Sequence, residues 1–266
     1  MPPLAVTRSG TGTPLVLLHG IGSSRRVWDP VVPLLAASFD VIMVDLPGFG
    51  GSAPIPDQPE VTPAALAESV ADLLDELGVT APHLAGNSLG GWVALELAAR
   101  RPVASVALLS PAGLWRRGTP RYDRVSLRAS RWLARNATRP LSCLVTTKLG
   151  RVLVLGQTHG KPTRLTPEYA RAAVEALAHC PGFEPALAGT AGRHFEHNTP
   201  ITAPVTVTFG ARDLLLRRAA RHLDQLPPQT QTGELPGCGH VPVADDPGAV
   251  AAFITQAAAI RLADHR

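Results

Sequence analysis

The sequence predicts an α/β fold: a mostly parallel sheet with helices on both faces, interrupted by one helical insertion. Three observations carry that expectation. Short, continuously apolar runs bounded by Gly or Pro alternate with longer helical patterns, as in strands buried on both faces by crossover helices. The alternation stops near residue 111 and resumes near residue 200. A chain of 266 residues suffices for one sizeable core carrying one such insertion.

The elements follow in order. PLVLLHG (14–20) and FDVIMVDLPG (39–48) read as buried strands, stopped by Gly20 and by Pro47-Gly48. Between them SSRRVWDPVVPLLAAS (23–38) carries a serine cap signal and then a helix. TPAALAESVADLLDELG (62–78) is a clearer helix: Thr62 caps it, Pro63 fits its first turn, Glu68 and Asp72 face outward, and Gly78 ends it. A strand, PHLAGNS (82–88), leads into the helix LGGWVALELAARRP (89–102), and VASVALLSP (103–111) is another buried strand. From 112 to 199 no buried strand is legible, and TPRYDRVSLRASRWLARNAT (119–138) and TPEYARAAVEALAHC (166–180) look helical. The strand APVTVTFGARD (203–213), a helix LLRRAARHLDQLP (215–227), a strand near TQTGELPGCGH (230–240) and a last helix DPGAVAAFITQAAAIRL (246–262) restore the alternation. The expected organisation is a core in two parts, 1–111 and 200–266, around an insertion at 112–199, with no internal repeat.

Composition excludes several classes. Cys143, Cys180 and Cys238 are widely spaced and odd in number, which argues against a disulfide framework and for a reducing compartment. MPPLAVTRSG lacks the charged-then-apolar order of a signal peptide, and no run approaches a membrane span, so a cytoplasmic protein is expected. The net charge is +4, and apart from Lys148 and Lys161 the basic residues are arginines. Arg121, Arg124, Arg128, Arg131 and Arg135 recur at helical spacing and read as a solvated face opposite Val125, Trp132 and Leu133. No nucleic-acid motif accompanies them, so no nucleic-acid partner is expected.

Gly86-Asn87-Ser88-Leu89-Gly90 is a G-x-S-x-G sequence between an expected strand and an expected helix. That setting suits a nucleophile elbow, in which a strained turn lifts the serine hydroxyl above the carboxyl end of the sheet and flanking side chains would clash. The amide of Leu89, at the helix start, would point at an oxyanion. A serine needs a base, and His240 ends PGCGH on a short loop before the final helix. His222 falls on the helix after Asp213, His159, His179, His194 and His197 in the insertion, and His265 in the tail. His19 reads as a structural imidazole bonded to backbone. The base needs a carboxylate to fix its tautomer, and Asp213 closes a strand at its carboxyl end, where such sheets present ligand-facing residues. Asp245 and Asp246 read as caps of the final helix, and Cys238 as a packing residue. HGIGSS (19–24) would supply the second oxyanion donor, the amide of Ile21, since no phosphate-loop motif is present.

LLHGIG (17–22) with Trp28 downstream, DLPGFGGS (45–52), GNSLGG (86–91), FGARD (209–213) and GCGHVP (237–242) occur in one order. On these motifs the chain resembles the α/β-hydrolase fold superfamily over essentially its whole length. The resemblance implies a helical cap, or lid, inserted after the strand ending near Ser110. It also implies no metal or organic cofactor, a small-molecule substrate, and a monomer or homodimer. Epoxide hydrolases and haloalkane dehalogenases share this layout but use an aspartate nucleophile where Ser88 stands. Carbon–carbon bond hydrolases of ring-fission products commonly carry a tryptophan directly after the catalytic histidine, where this chain has Val241. A carboxylesterase-type serine hydrolase is therefore expected first, ahead of a carbon–carbon hydrolase and of a thioesterase or lactonase. A ligand-binding sensor that keeps the triad is the non-enzymatic alternative. Substrate contacts are expected from Gly20, Asn87, Trp115, Trp132 and Val241, with Tyr122, Tyr169 and Phe183 as further aromatic candidates.

Overall fold

The structure, a computed structural model, describes residues 3–196 and 200–260. Its strands are β1 (Val6–Ser9), β2 (Thr13–Leu18), β3 (Phe39–Val44), β4 (His83–Asn87), β5 (Ser105–Leu109), β6 (Val205–Gly210) and β7 (Gln231–Leu235). They form one seven-stranded sheet in the order β1-β3-β2-β4-β5-β6-β7. β1 is antiparallel to β3, and every other pairing is parallel. β1 was not expected: it is a four-residue edge strand, VTRS, in which Val6 is the single apolar residue, so no alternating or continuous apolar run announces it.

The helices are α1 (Val32–Leu35), α2 (Pro63–Glu76), α3 (Leu89–Ala98), α4 (Arg121–Asn136), α5 (Thr138–Leu144), α6 (Lys148–Leu155), α7 (Pro167–Ala178), α8 (Phe183–Thr190) and α9 (Pro247–Ala259). Alternation along the strands decides which helix each face receives. Val16, Leu18, Ile42, Val44, Leu84, Val106 and Leu108 pack against α2 and α3. Leu15, Leu17, Val41, Met43, Ala85 and Ala107 point the other way, toward Trp28, Leu35 and the buried residues of α9. Thr62 caps α2 by accepting from the amide of Ala65, and Asp246 caps α9 through Ala249. Five helices, α4 to α8, lie between β5 and β6, and α5, α6 and α7 contribute to a separate small core around Leu141, Val145, Leu155 and Val174.

Four expectations need correction. The helix expected within 23–38 is a 3-10 turn at Arg25–Trp28 followed by the single turn α1, because Pro30 and Pro33 interrupt the amide ladder. The helix expected at 215–227 reduces to two 3-10 turns, Arg218–Ala220 and Leu223–Gln225. Its backbone is taken up elsewhere: the amide of His222 bonds Leu114 O at 2.7 Å and the Arg221 guanidinium bonds Leu216 O at 2.9 Å. The faces of α4 are exchanged relative to the charge pattern. Val125 and Trp132 are 67% and 66% exposed, while Arg131 lies over the Phe183 ring and donates to Leu177 O. Long arginine stems cover apolar surface while their guanidinium groups bond outward, so helical spacing alone did not decide which face turned in. Lastly, Asp245 does not cap α9; its oxygens accept the amides of Gly160, Lys161 and Gly239.

Candidate active site

Ser88 stands between β4 and α3 with φ 53° and ψ −117°, a strained backbone for a non-glycine residue. The turn is crowded enough to require its glycines. A Cβ on Gly86 would lie 2.3 Å from Gly90 O, and one on Gly90 would lie 2.2 Å from Leu18 O. Leu89 opens α3, so its amide has no acceptor inside the helix.

His240 follows β7 and is buried. Its Nδ1 donates to Asp213 Oδ2 at 2.9 Å, which leaves Nε2 as the unprotonated nitrogen of the neutral ring. That Nε2 is buried and has no hydrogen-bond partner among the described residues. Asp213 divides its carboxylate between two tasks. Oδ1 accepts the amides of Leu215 and Leu216 at 2.9 and 2.8 Å, which fixes the turn after β6, and Oδ2 meets His240. Burial pushes the Asp213 carboxyl up, but the adjacent His240 and the Leu216 amide outweigh it and hold the group below its ordinary range.

The loop carrying Ile21 is fixed by His19, which is fully buried. Its Nε2 accepts the amide of Leu46, so its Nδ1 is the protonated nitrogen and donates to Gly20 O. Burial lowers the pKa of His19 and keeps it neutral in that role. Asp45, 1% exposed, accepts from the amides of Arg25 and Gly51 and thereby ties down the neighbouring loop.

Ser88, His240, Ile21 and Leu89 line one cavity. The rest of its wall is mostly apolar, from Ala112, Trp115, Leu127, Leu187, Leu215 and Leu216, with Thr119, Asp123 and Thr190 as its other polar residues. Of the expected substrate contacts, Trp115 lines this cavity and Gly20, Asn87, Trp132 and Val241 do not. Trp132 points to solvent on the outer face of α4. Asn87 is buried beneath the elbow, where Nδ2 donates to Leu109 O and His240 O, both at 2.9 Å. It positions the histidine loop. Gly20 packs behind the serine, and the Val241 amide is bonded to Thr158 O. Tyr122 is partly exposed under the Arg217 guanidinium, Tyr169 packs on His159, and Phe183 is fully buried core. His197 and His265 lie outside the described residues.

Sequence reasoning missed two charged residues here. Arg221 reaches Asp213 Oδ2 at 3.9 Å and lies over the Phe209 ring. Asp123, from α4, lines the cavity itself. No local motif marks either one, because each matters through where its segment lands. Burial raises the Cys238 thiol to about 11 and keeps it protonated. Among the described residues no group of three or more His, Cys, Asp or Glu could hold a metal ion. No helix among them is long and apolar enough to cross a membrane.

Comparison with known proteins places the fold. The chain is 33% identical to the epoxide hydrolase EphH of Mycobacterium tuberculosis over 207 residues, covering 72% of this chain and 92% of that protein. It is 45% identical over 109 residues to a pimeloyl-[acyl-carrier protein] methyl ester esterase of Aeromonas hydrophila, covering 41% of each. Over some curated relatives, then, the match spans less than half of their length, 28% in one and 41% in another. Among solved structures, a thermophilic esterase from Thermogutta terrifontis superposes with a TM-score of 0.73 at 25% identity, over 95% of this chain and 92% of that one. Residues 15–253 match the Alpha/beta hydrolase family, and the chain belongs to that family.

Proposed function

We propose that the protein is a serine hydrolase that cleaves an ester-type acyl bond of a small or medium-sized, largely apolar substrate through an acyl-enzyme. One observation carries the reading: an Asp213-oriented His240, its Nε2 buried and unpaired, lines the same cavity as a serine on a strained strand-to-helix turn. His240 Nε2 takes the Ser88 proton as Oγ attacks the acyl carbonyl. The amides of Ile21 and Leu89 stabilise the oxyanion, each worth roughly 3 kcal/mol in such sites. The imidazolium, stabilised by Asp213, gives its proton to the departing alkoxide, and a water activated by His240 then releases the acid. The segment between β5 and β6 acts as the cap, closing the cavity with Trp115 from its leading loop, Leu127 from α4 and Leu187 from α8.

An esterase is also the activity named for two of the relatives, in Aeromonas hydrophila and Thermogutta terrifontis. The reaction named for EphH is not carried over, because a serine occupies the position where epoxide hydrolases of this layout use an aspartate. The test is labelling by a fluorophosphonate with peptide mapping, alongside hydrolysis of p-nitrophenyl butyrate. Wild type should gain one adduct on Ser88 and turn over the ester, while Ser88→Ala and His240→Ala lose both by at least about 10³-fold. A folded wild type that takes no adduct and cleaves no ester sinks the proposal.

A further inference from the structure

Asp123 is 5% exposed and lines the cavity beside Ser88 and His240. It occupies the third position of α4, where an acidic side chain ordinarily turns back to bond the N-cap amide. Here the N-cap is Pro120, which has no N–H, so that bond cannot form. Among the described residues the Asp123 carboxylate makes no hydrogen bond and no ion pair. The charges that bear on it are His240, Asp213 and Arg217, and the Arg217 guanidinium is engaged 4.3 Å above the Tyr122 ring. Burial, with a further push from Asp213, raises this carboxyl to about 6, against the pull of His240 and Arg217. An unpaired buried carboxylate costs stability, and nothing in α4 uses it. Trp115 lines the same cavity and supplies an aromatic wall.

We propose that the cavity is built for esters bearing an alkylammonium group, with Asp123 as the counter-charge and the Trp115 ring as a wall for the cation. This deepens the serine-hydrolase reading and rests on it. A cation gains from a desolvated carboxylate and from an aromatic face together, and an anionic substrate is repelled by the same carboxylate.

Two isosteric esters isolate the charge: p-nitrophenyl 4-(trimethylammonio)butyrate and its carbon analogue p-nitrophenyl 5,5-dimethylhexanoate. At pH 7.5 wild type should favour the cationic ester in kcat/KM by about tenfold or more, and Asp123→Asn should bring the ratio to about one. In wild type the ratio should fall toward one below about pH 6, as Asp123 protonates. A wild-type ratio at or below one at pH 7.5, or a preference that survives in Asp123→Asn, overturns the subsite. Calorimetric titration of butyltrimethylammonium separates this from the hydrolase reading. Wild type should bind about tenfold more tightly than Asp123→Asn even if neither ester were cleaved, in which case the hydrolase reading alone fails. Equal affinities overturn the subsite whatever the esters do.

Discussion

At the scale of single residues, the site is made from carboxylates whose surroundings differ. Asp213 is buried yet fully engaged: two amides take one oxygen and His240 the other. Asp123 is equally buried but makes no hydrogen bond or ion pair among the described residues. The two should therefore act on stability in opposite senses. The Asp123 carboxyl is raised from its ordinary 3.8 to about 6, so the folded chain holds that proton more tightly than the unfolded one. Stability is lost as pH rises through that interval, since the ionised form is disfavoured in the fold. Asp123→Asn removes the loss. Its melting temperature should exceed that of wild type at pH 7.5, and the gap should shrink steadily toward pH 4. A variant less stable than wild type at pH 7.5 would mean that the carboxylate has a partner in solution. The places of Ser88 after β4, Asp213 after β6 and His240 after β7 were legible because each depends on its own strand end or loop. Asp123 was illegible because its value depends on where α4 comes to rest over the sheet.

At the scale of elements, helix ends and the elbow obey different energetics. Thr62 satisfies one amide of α2 at a partly exposed end, so Thr62→Ala should cost about 1 kcal/mol. Gly90 is held by packing: a methyl there would meet Leu18 O at 2.2 Å and His19 O at 2.6 Å, both backbone atoms in the core sheet and its loop. Gly90→Ala should cost about 3 kcal/mol or more, since neither neighbour can give way. Urea denaturation of the two variants gives both values, and similar midpoints would show that the elbow tolerates a side chain. The same contrast explains which elements could be read from the sequence. α2, α3 and α9 have local stop and start signals and buried faces, and the chain forms them where the pattern says. The segment 215–227 has helical spacing too, but the His222 amide bonds Leu114 O outside the segment and the Arg221 side chain takes Leu216 O within it, which captures its backbone before an α-helix can close. β1 carries no signal because an edge strand exposes most of its side chains.

At the scale of the whole molecule, the histidine loop and the helices over the sheet are tied together by one buried carboxylate. Asp245 is 4% exposed, and its oxygens accept the amides of Gly160 at 2.7 Å, Lys161 at 2.8 Å and Gly239 at 2.8 Å. Gly160 and Lys161 follow α6, while Gly239 directly precedes His240. The two backbones also meet where the Val241 amide bonds Thr158 O, and a Cβ on Gly160 would lie 2.2 Å from Gly237 O. The chain between β5 and β6 therefore sets the position of His240 from above, just as Asn87 sets it from beneath the elbow. Asp245→Ala leaves three amides without their acceptor, at a cost of about 3 kcal/mol after partial rescue by water. For a chain of this size that is a fall of roughly 10 °C in Tm. Because the loop it frees carries the proposed base, kcat/KM for p-nitrophenyl butyrate should fall at temperatures where the variant is still folded. Asp245→Asn keeps one acceptor oxygen and turns an N–H toward the remaining amides, so it should recover only part of both losses. An alanine variant that melts within about 2 °C of wild type and keeps its kcat/KM would show that packing between the two loops is enough to hold His240 in place.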